Sequence, residues 1–212
     1  MKRGKFIALE GGEGTGKSTQ ARKLAEALEN AGHEVVTTRE PGGTPGAEAI
    51  RSLLLDPPGE GWGPKAEALL FAAARSDHVE RLILPSLDAG RWVVCDRFVD
   101  SSRAYQGFAG QLGDDKVRAL HAVGSDGIRP DLVILIDVSP DEIARRLSVR
   151  DADGSDAIGG RSADYHSRVA AAFRQMAEED AAGFVVVDGN AGEETVHARI
   201  LDAISGRFGD KL

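Results

Sequence analysis

A chain of 212 residues, 42% of them hydrophobic, is long enough for one α/β domain with a real core. Its net charge of -8 argues against a nucleic-acid binder, which needs a basic face for phosphates. The single cysteine, Cys95, excludes an intrachain disulfide; it sits in an apolar run and reads as core in a reducing compartment.

The basic start (Lys2, Arg3, Lys5) is followed by a short apolar run, Phe6-Ile7-Ala8-Leu9, too brief for a signal peptide. No stretch nears the roughly 20 apolar residues of a membrane span. A cytoplasmic protein with no membrane or nucleic-acid partner is expected. The run at 6–9 reads as the first strand. Gly11-Gly12-Glu13-Gly14-Thr15-Gly16-Lys17-Ser18 follows and matches G-x-x-x-x-G-K-[ST] without a mismatch. A helical pattern from 17 to about 31 completes the strand–loop–helix context that a phosphate-binding P-loop requires. Gly11, Gly12, Gly14 and Gly16 free the backbone to turn its N–H groups around a polyphosphate, and the helix adds its positive dipole end. Lys17 supplies a point charge for the outer phosphates, and the Ser18 hydroxyl suits Mg²⁺. The motif implies a nucleoside triphosphate and leaves the acceptor open.

Further strands are expected at 35–38, 92–95, 132–136 and 184–187. Helices are expected at about 45–55, 65–89, 114–124, 140–150, 161–181 and 192–207. Strand-then-helix alternation implies a five-stranded parallel sheet covered on both faces, in one domain spanning 1–212. The polar, Gly-rich segment 151–160 reads as a lid, about 150–162 with its flanks, rather than a linker. Charged residues follow the strands: Arg39-Glu40, Asp96-Arg97 and Asp137. In parallel sheets ligands sit beyond those carboxyl ends. Asp137 is expected to cap the next helix. Asp96 is placed to hold Mg²⁺ through water, and Arg97 to grip a second phosphate, in preference to a plain ion pair. Asp188-Gly189-Asn190 fits either a simple turn or a nucleotide-side loop.

The segment Asp96-Arg97-Phe98-Val99-Asp100-Ser101-Ser102-Arg103-Ala104-Tyr105-Gln106-Gly107 resembles the thymidylate kinase signature D-R-[YFH]-x-x-S-x-x-A-Y-Q-G. Thr38-Arg39-Glu40-Pro41-Gly42-Gly43-Thr44, Arg51-Ser52-Leu53-Leu54-Leu55-Asp56, Phe71-Ala72-Ala73-Ala74-Arg75 and Arg129-Pro130-Asp131 match the same family in the same order. The resemblance, over about residues 5–190, implies a P-loop nucleoside monophosphate kinase fold and a homodimer. It also implies Mg²⁺–ATP-dependent phosphorylation of dTMP to dTDP in dTTP biosynthesis. ATP would lie on residues 11–18 and Thr19. Phe71 would stack on thymine, although its spacing alone reads as core, and Arg75 would donate to the thymine O4. Ser102 and Gln106 would lie near the base and Tyr105 against the deoxyribose. Arg97 would bind the dTMP phosphate with help from Arg39 or Arg51, and Glu40 and Glu13 would stand close to the reacting groups.

Members of the family carry a catalytic arginine either in this loop or in the lid; the variable loop positions here hold none, so the resemblance implies that one, if used, lies in the lid, where Arg150 matches the family's lid arginine best. Lys17, Asp96, Arg97, Arg150 and Glu13 form the expected catalytic set, with Ser18 and Asp96 at the metal. The family's D-R-[IF]-E lid stretch is altered here to Asp156-Ala157-Ile158-Gly159, which leaves Arg161 as a candidate assistant. Another nucleoside monophosphate kinase and a non-catalytic nucleotide-binding module are the alternatives. A GTPase is excluded by the absence of an Asn-Lys-x-Asp string.

Overall fold

Runs of apolar residues with no polar break need cover on both faces, and a parallel sheet supplies it. The computed structural model describes residues 3–150 and 158–209, the side chains of Leu147, Val149 and Arg150 excepted. Its strands are β1 Phe6–Glu10, β2 Val35–Arg39, β3 Trp92–Asp96, β4 Leu132–Asp137 and β5 Phe184–Asp188. They form one all-parallel sheet in the order β2-β3-β1-β4-β5. Each strand runs one residue past its expected end. Arg39, Asp96, Asp137 and Asp188 are therefore last residues of strands, held in register, rather than the first residues of loops.

The helices are α1 Lys17–Asn30, α2 Pro45–Leu55, α3 Pro64–His78, α4 Leu84–Asp88, α5 Val99–Ser102, α6 Asp114–Ser125, α7 Pro140–Arg150, α8 Ala163–Glu179 and α9 Glu193–Phe208. Strand residues alternate between the two layers. Ile7, Leu9, Ile134 and Ile136 pack with Leu24 and Leu28 of α1 and Ile200 and Ile204 of α9. On the opposite face, Val133 and Leu135 meet Val169, Phe173 and Met176 of α8. Phe6, Ala8 and Cys95 meet Val79, Ile83 and Phe98. Cys95 is a buried core residue, as expected.

Three expectations change. The helix expected over 65–89 is interrupted by a π turn, Val79–Ile83, where the Leu84 N–H bonds back to the Val79 carbonyl. Pro85 explains it: proline has no N–H to give and its ring crowds the preceding turn, so the helix widens there. The signature segment is helical, as α5 and a π-helical stretch Arg103–Ala109, where no helix was expected. Asp137 does not cap α7. It receives the Arg174 guanidinium at 2.9–3.1 Å, and Ser139 takes the capping position. Among the described residues no helix is long and apolar enough to cross a membrane.

Candidate active site

The carboxyl ends of β1, β2 and β3 open onto a cleft of about 500 Å³. Its floor is the loop between β1 and α1. At Gly16, φ is +90°, a backbone that favours glycine; at Gly11 a Cβ would stand 2.7 Å from the Ile136 carbonyl. Gly12 needs neither freedom, and its role is its carbonyl, which accepts from the Lys17 ammonium at 2.6 Å and from Thr15 Oγ1 at 3.1 Å. Lys17 thus lies buried over its own loop. Burial, then the Arg97 charge, pushes its ammonium down to about 8 against the pull of Asp96 and Glu13. Ser18 Oγ donates to Asp96 Oδ2 at 2.5 Å, which joins the start of α1 to the end of β3. Asp96 Oδ1 is buried and has no hydrogen-bond partner among the described residues. An orphaned carboxylate oxygen beside a serine hydroxyl is a hard-donor pair of the kind Mg²⁺ takes, with phosphates and water completing its shell.

Arg97 lines the cleft and has a positive φ of 71°. It donates to the Gly11 carbonyl at 3.0 Å, to Ser101 Oγ at 3.1 Å and to Glu13 at 2.6 Å, and lies 5.1 Å over the Tyr105 ring. Burial alone would raise the Glu13 carboxyl, but the Arg97 and Lys17 charges outweigh it and hold it down at about 2. Glu10, which no sequence motif marks, secures this arrangement. Fully buried, it accepts from Phe98 N at 2.8 Å, Ser101 N at 3.1 Å and Ser101 Oγ at 2.6 Å. Burial, and the neighbouring Asp100 charge, push its carboxyl up to about 7. No local pattern around Glu10 signals this, because its partners lie about 90 residues away.

At the other end of the cleft, Phe71 is half-buried and belongs to none of the core clusters, so its position favours a cleft role over the core reading. Arg75 donates to Glu40 at 2.7 Å and to Ser102 Oγ at 2.6 Å. The second Glu40 oxygen faces His78 Nδ1 at 3.1 Å, and His78 Nε2 meets Thr38 Oγ1 at 2.7 Å. Both Glu40 oxygens are therefore spent on protein partners. We expect Glu40→Gln, which weakens the bond to a buried cation, to cost about 2 kcal/mol of folding stability. Urea unfolding checks it; a midpoint unmoved from the parent's contradicts it. Arg39 and Arg51 reach the cleft from its rim, Arg39 pairing with Glu48 at 3.2 Å and Arg51 donating to the Pro41 carbonyl at 2.7 Å. Tyr105 and Gln106 line the wall.

Of the expected site residues, Glu13, Lys17, Ser18, Glu40, Arg51, Phe71, Arg75, Asp96, Arg97, Ser102, Tyr105 and Gln106 line this one cleft, with Gly14, Gly16 and Thr19. Thr15 faces a second cavity on the far side of the loop, between α7 and the start of α9. Arg146 of α7, also unanticipated, joins the two. It donates to the carbonyls of Gly189 at 2.7 Å and Thr15 at 3.4 Å, tying the loop to the turn after β5. Asn190 in that turn bonds Asp188 and Ser139 and also lines the second cavity. The side chain of Arg150, and Ala157 altogether, lie outside the described residues.

The thymidylate kinase family model matches residues 9–200. A thymidylate kinase of Rhizorhabdus wittichii is 51% identical over 202 residues, covering 95% of this chain and 97% of that protein. One from Bradyrhizobium diazoefficiens is 44% identical, covering 97% and 91% respectively. Another, from Rhodopseudomonas palustris, is 49% identical, covering 97% and 90%. A P-loop, a carboxylate–serine pair and a signature helix converge on one cleft, and the match extends over nearly the whole sequence: the chain belongs to the thymidylate kinase family.

Proposed function

We propose that this cleft is where the chain transfers the γ-phosphoryl group of ATP to dTMP, the reaction of its family, releasing dTDP and ADP. The observation that carries it is the meeting of the Lys17 loop, Arg97 and the Phe71–Arg75 wall within a single cleft. The acceptor is a phosphate monoester with a second pKa of ~6, so at neutral pH it is already mostly an oxyanion and needs no strong base. Catalysis then rests on alignment and charge.

In this reading Lys17 and the loop N–H groups hold the donor phosphates. Arg97 grips the acceptor phosphate, and Glu13 fixes the Arg97 guanidinium. Ser18 and Asp96 would hold Mg²⁺, which when bound neutralises charge on the donor phosphates. Arg75 donates to the thymine O4, where cytosine would present a competing donor. Glu40 positions Arg75 rather than touching substrate. Tyr105 packs against the sugar. Arg150 supplies transition-state charge from the lid. The second cavity, against Arg146, suits the nucleoside end of ATP. The chain is read as a single cytoplasmic kinase domain that works as a homodimer. Leu69 on α3 and Val123 on α6 are exposed apolar residues, 55% and 88% accessible, on helices that pack together and offer a face for a second copy.

Product identification tests the reaction: dTMP with Mg²⁺–ATP should give dTDP and ADP in equal amounts, and ADP without dTDP would contradict it. A stacking role for Phe71 predicts that Phe71→Ala raises KM for dTMP by about tenfold, the loss of about 1.5 kcal/mol of ring contact. The KM for ATP should stay within about twofold. Equal rises in both would return Phe71 to the packing.

A further inference from the structure

Two charged residues outside the mechanism above are bonded to the wall of the cleft. Gln106 is 3% exposed, and its Nε2 donates to Glu67 Oε1 at 2.8 Å. Its Oε1 is buried and has no partner among the described residues. The other Glu67 oxygen accepts from Arg161 Nη2. Arg161 is fixed in turn. It donates to the Tyr165 hydroxyl at 2.5 Å, its guanidinium lies 4.7 Å over the Tyr165 ring, and that hydroxyl donates to the Tyr105 carbonyl at 2.6 Å. Arg161 does not line the cleft. Its place is behind the wall, not at the reacting phosphates.

The chemistry of an amide gives this arrangement a consequence. A glutamine side chain can present either its oxygen or its NH₂, and its neighbours decide which. A carboxylate offers only acceptors, so Glu67 can take only the NH₂ end. The oxygen of Gln106, a residue that lines the cleft, is then left as a fixed acceptor, unpartnered among the described residues, while Arg75 in the same cleft is a fixed donor. Thymine has an acceptor at O4 and a donor at N3–H. Cytosine has a donor at N4 and a bare acceptor at N3, the reverse at both positions.

We propose that Glu67, braced by Arg161, is a specificity-determining positioning residue: it holds the Gln106 amide with its oxygen as acceptor for a pyrimidine N3–H and so rejects cytosine nucleotides. This rests on the reading of the cleft as the dTMP site. It also gives Arg161, in a chain whose lid stretch departs from the family pattern, a task in base selection instead of phosphoryl transfer. A neutral partner in place of Glu67 could donate or accept, and the Gln106 amide would be free to turn.

The test compares the KM for dTMP with the inhibition constant of dCMP against it, in the parent, Glu67→Gln, Arg161→Ala and Arg161→Lys. In Glu67→Gln the dCMP-to-dTMP ratio should narrow by about tenfold, the worth of one hydrogen bond. In Arg161→Ala it should narrow by about threefold, and Arg161→Lys, which keeps the cation, should recover most of it. With Gln106→Ala already present, Glu67→Gln should narrow it no further. A ratio within twofold of the parent in both Glu67→Gln and Arg161→Ala overturns the proposal. So does an equal weakening of both nucleotides that tracks a lower melting temperature, the mark of a merely structural role. If Glu67→Gln does not fold, the two Arg161 variants decide. Failure of the underlying reading shows separately, as a parent enzyme that does not turn over dTMP.

Discussion

Arg97→Ala is expected to lower kcat/KM for dTMP by on the order of 10³-fold, about 4 kcal/mol. Two losses combine. The acceptor phosphate loses the guanidinium that spans the Gly11 carbonyl, Ser101 and Glu13. Glu13, its carboxyl held at about 2 with Arg97 and Lys17 beside it, then keeps only Lys17 against its negative charge near the incoming phosphate. Arg97→Lys should recover only part of the activity, because an ammonium is a point charge and cannot serve the Gly11 carbonyl, Glu13 and a phosphate oxygen at once. Steady-state kinetics check this, with the KM for dTMP moving more than that for ATP and a melting curve confirming the fold. A loss of less than about tenfold would remove Arg97 from the centre of the site.

Arg150→Ala is expected to lower kcat by on the order of 10³-fold or more, the scale of an arginine that carries transition-state charge. The loop Gly11 to Ser18 has no arginine to take its place. Arg161 is committed to Glu67 and Tyr165 and stands behind the cleft wall. The two arginines should therefore separate: Arg150→Ala acts on kcat, Arg161→Ala on the choice of base. A kcat within about threefold of the parent, under 1 kcal/mol, rules out the assignment to Arg150.

The strands were legible to within one residue, because the runs at 6–9 and 132–136 are apolar throughout and buried on both faces. The helix Val99–Ser102 and its π-helical continuation were not. There the residues face a site and its buried ion pairs, such as Arg103 with Asp100 and Asp114, and carry no apolar period. The P-loop was complete in one local string. The acceptor wall was not: Phe71 looked like core, and only the family resemblance placed it against a ligand. Glu10, Glu67 and Arg146 escaped notice for a common reason. Their partners are backbone groups or side chains far along the chain, Glu67 and Arg161 being 94 residues apart. Nothing in local spacing reports such a pairing. Asp137 shows the converse, since a carboxylate beside a helix start reads as a cap until Arg174, 37 residues on, is brought to it by the fold.

The most direct measurement is the initial rate of ADP formation with Mg²⁺–ATP against dTMP, dUMP, dGMP, AMP, UMP and CMP. The highest kcat/KM is expected for dTMP. For dUMP, which lacks only the 5-methyl group, kcat/KM should be lower by roughly 10–200-fold, and the others should be near background. Turnover of AMP or dGMP above that of dTMP would contradict the assignment of Arg75 and Phe71 to the base. No turnover with any acceptor, despite ATP binding, would contradict the account as a whole and leave a nucleotide-binding module in its place.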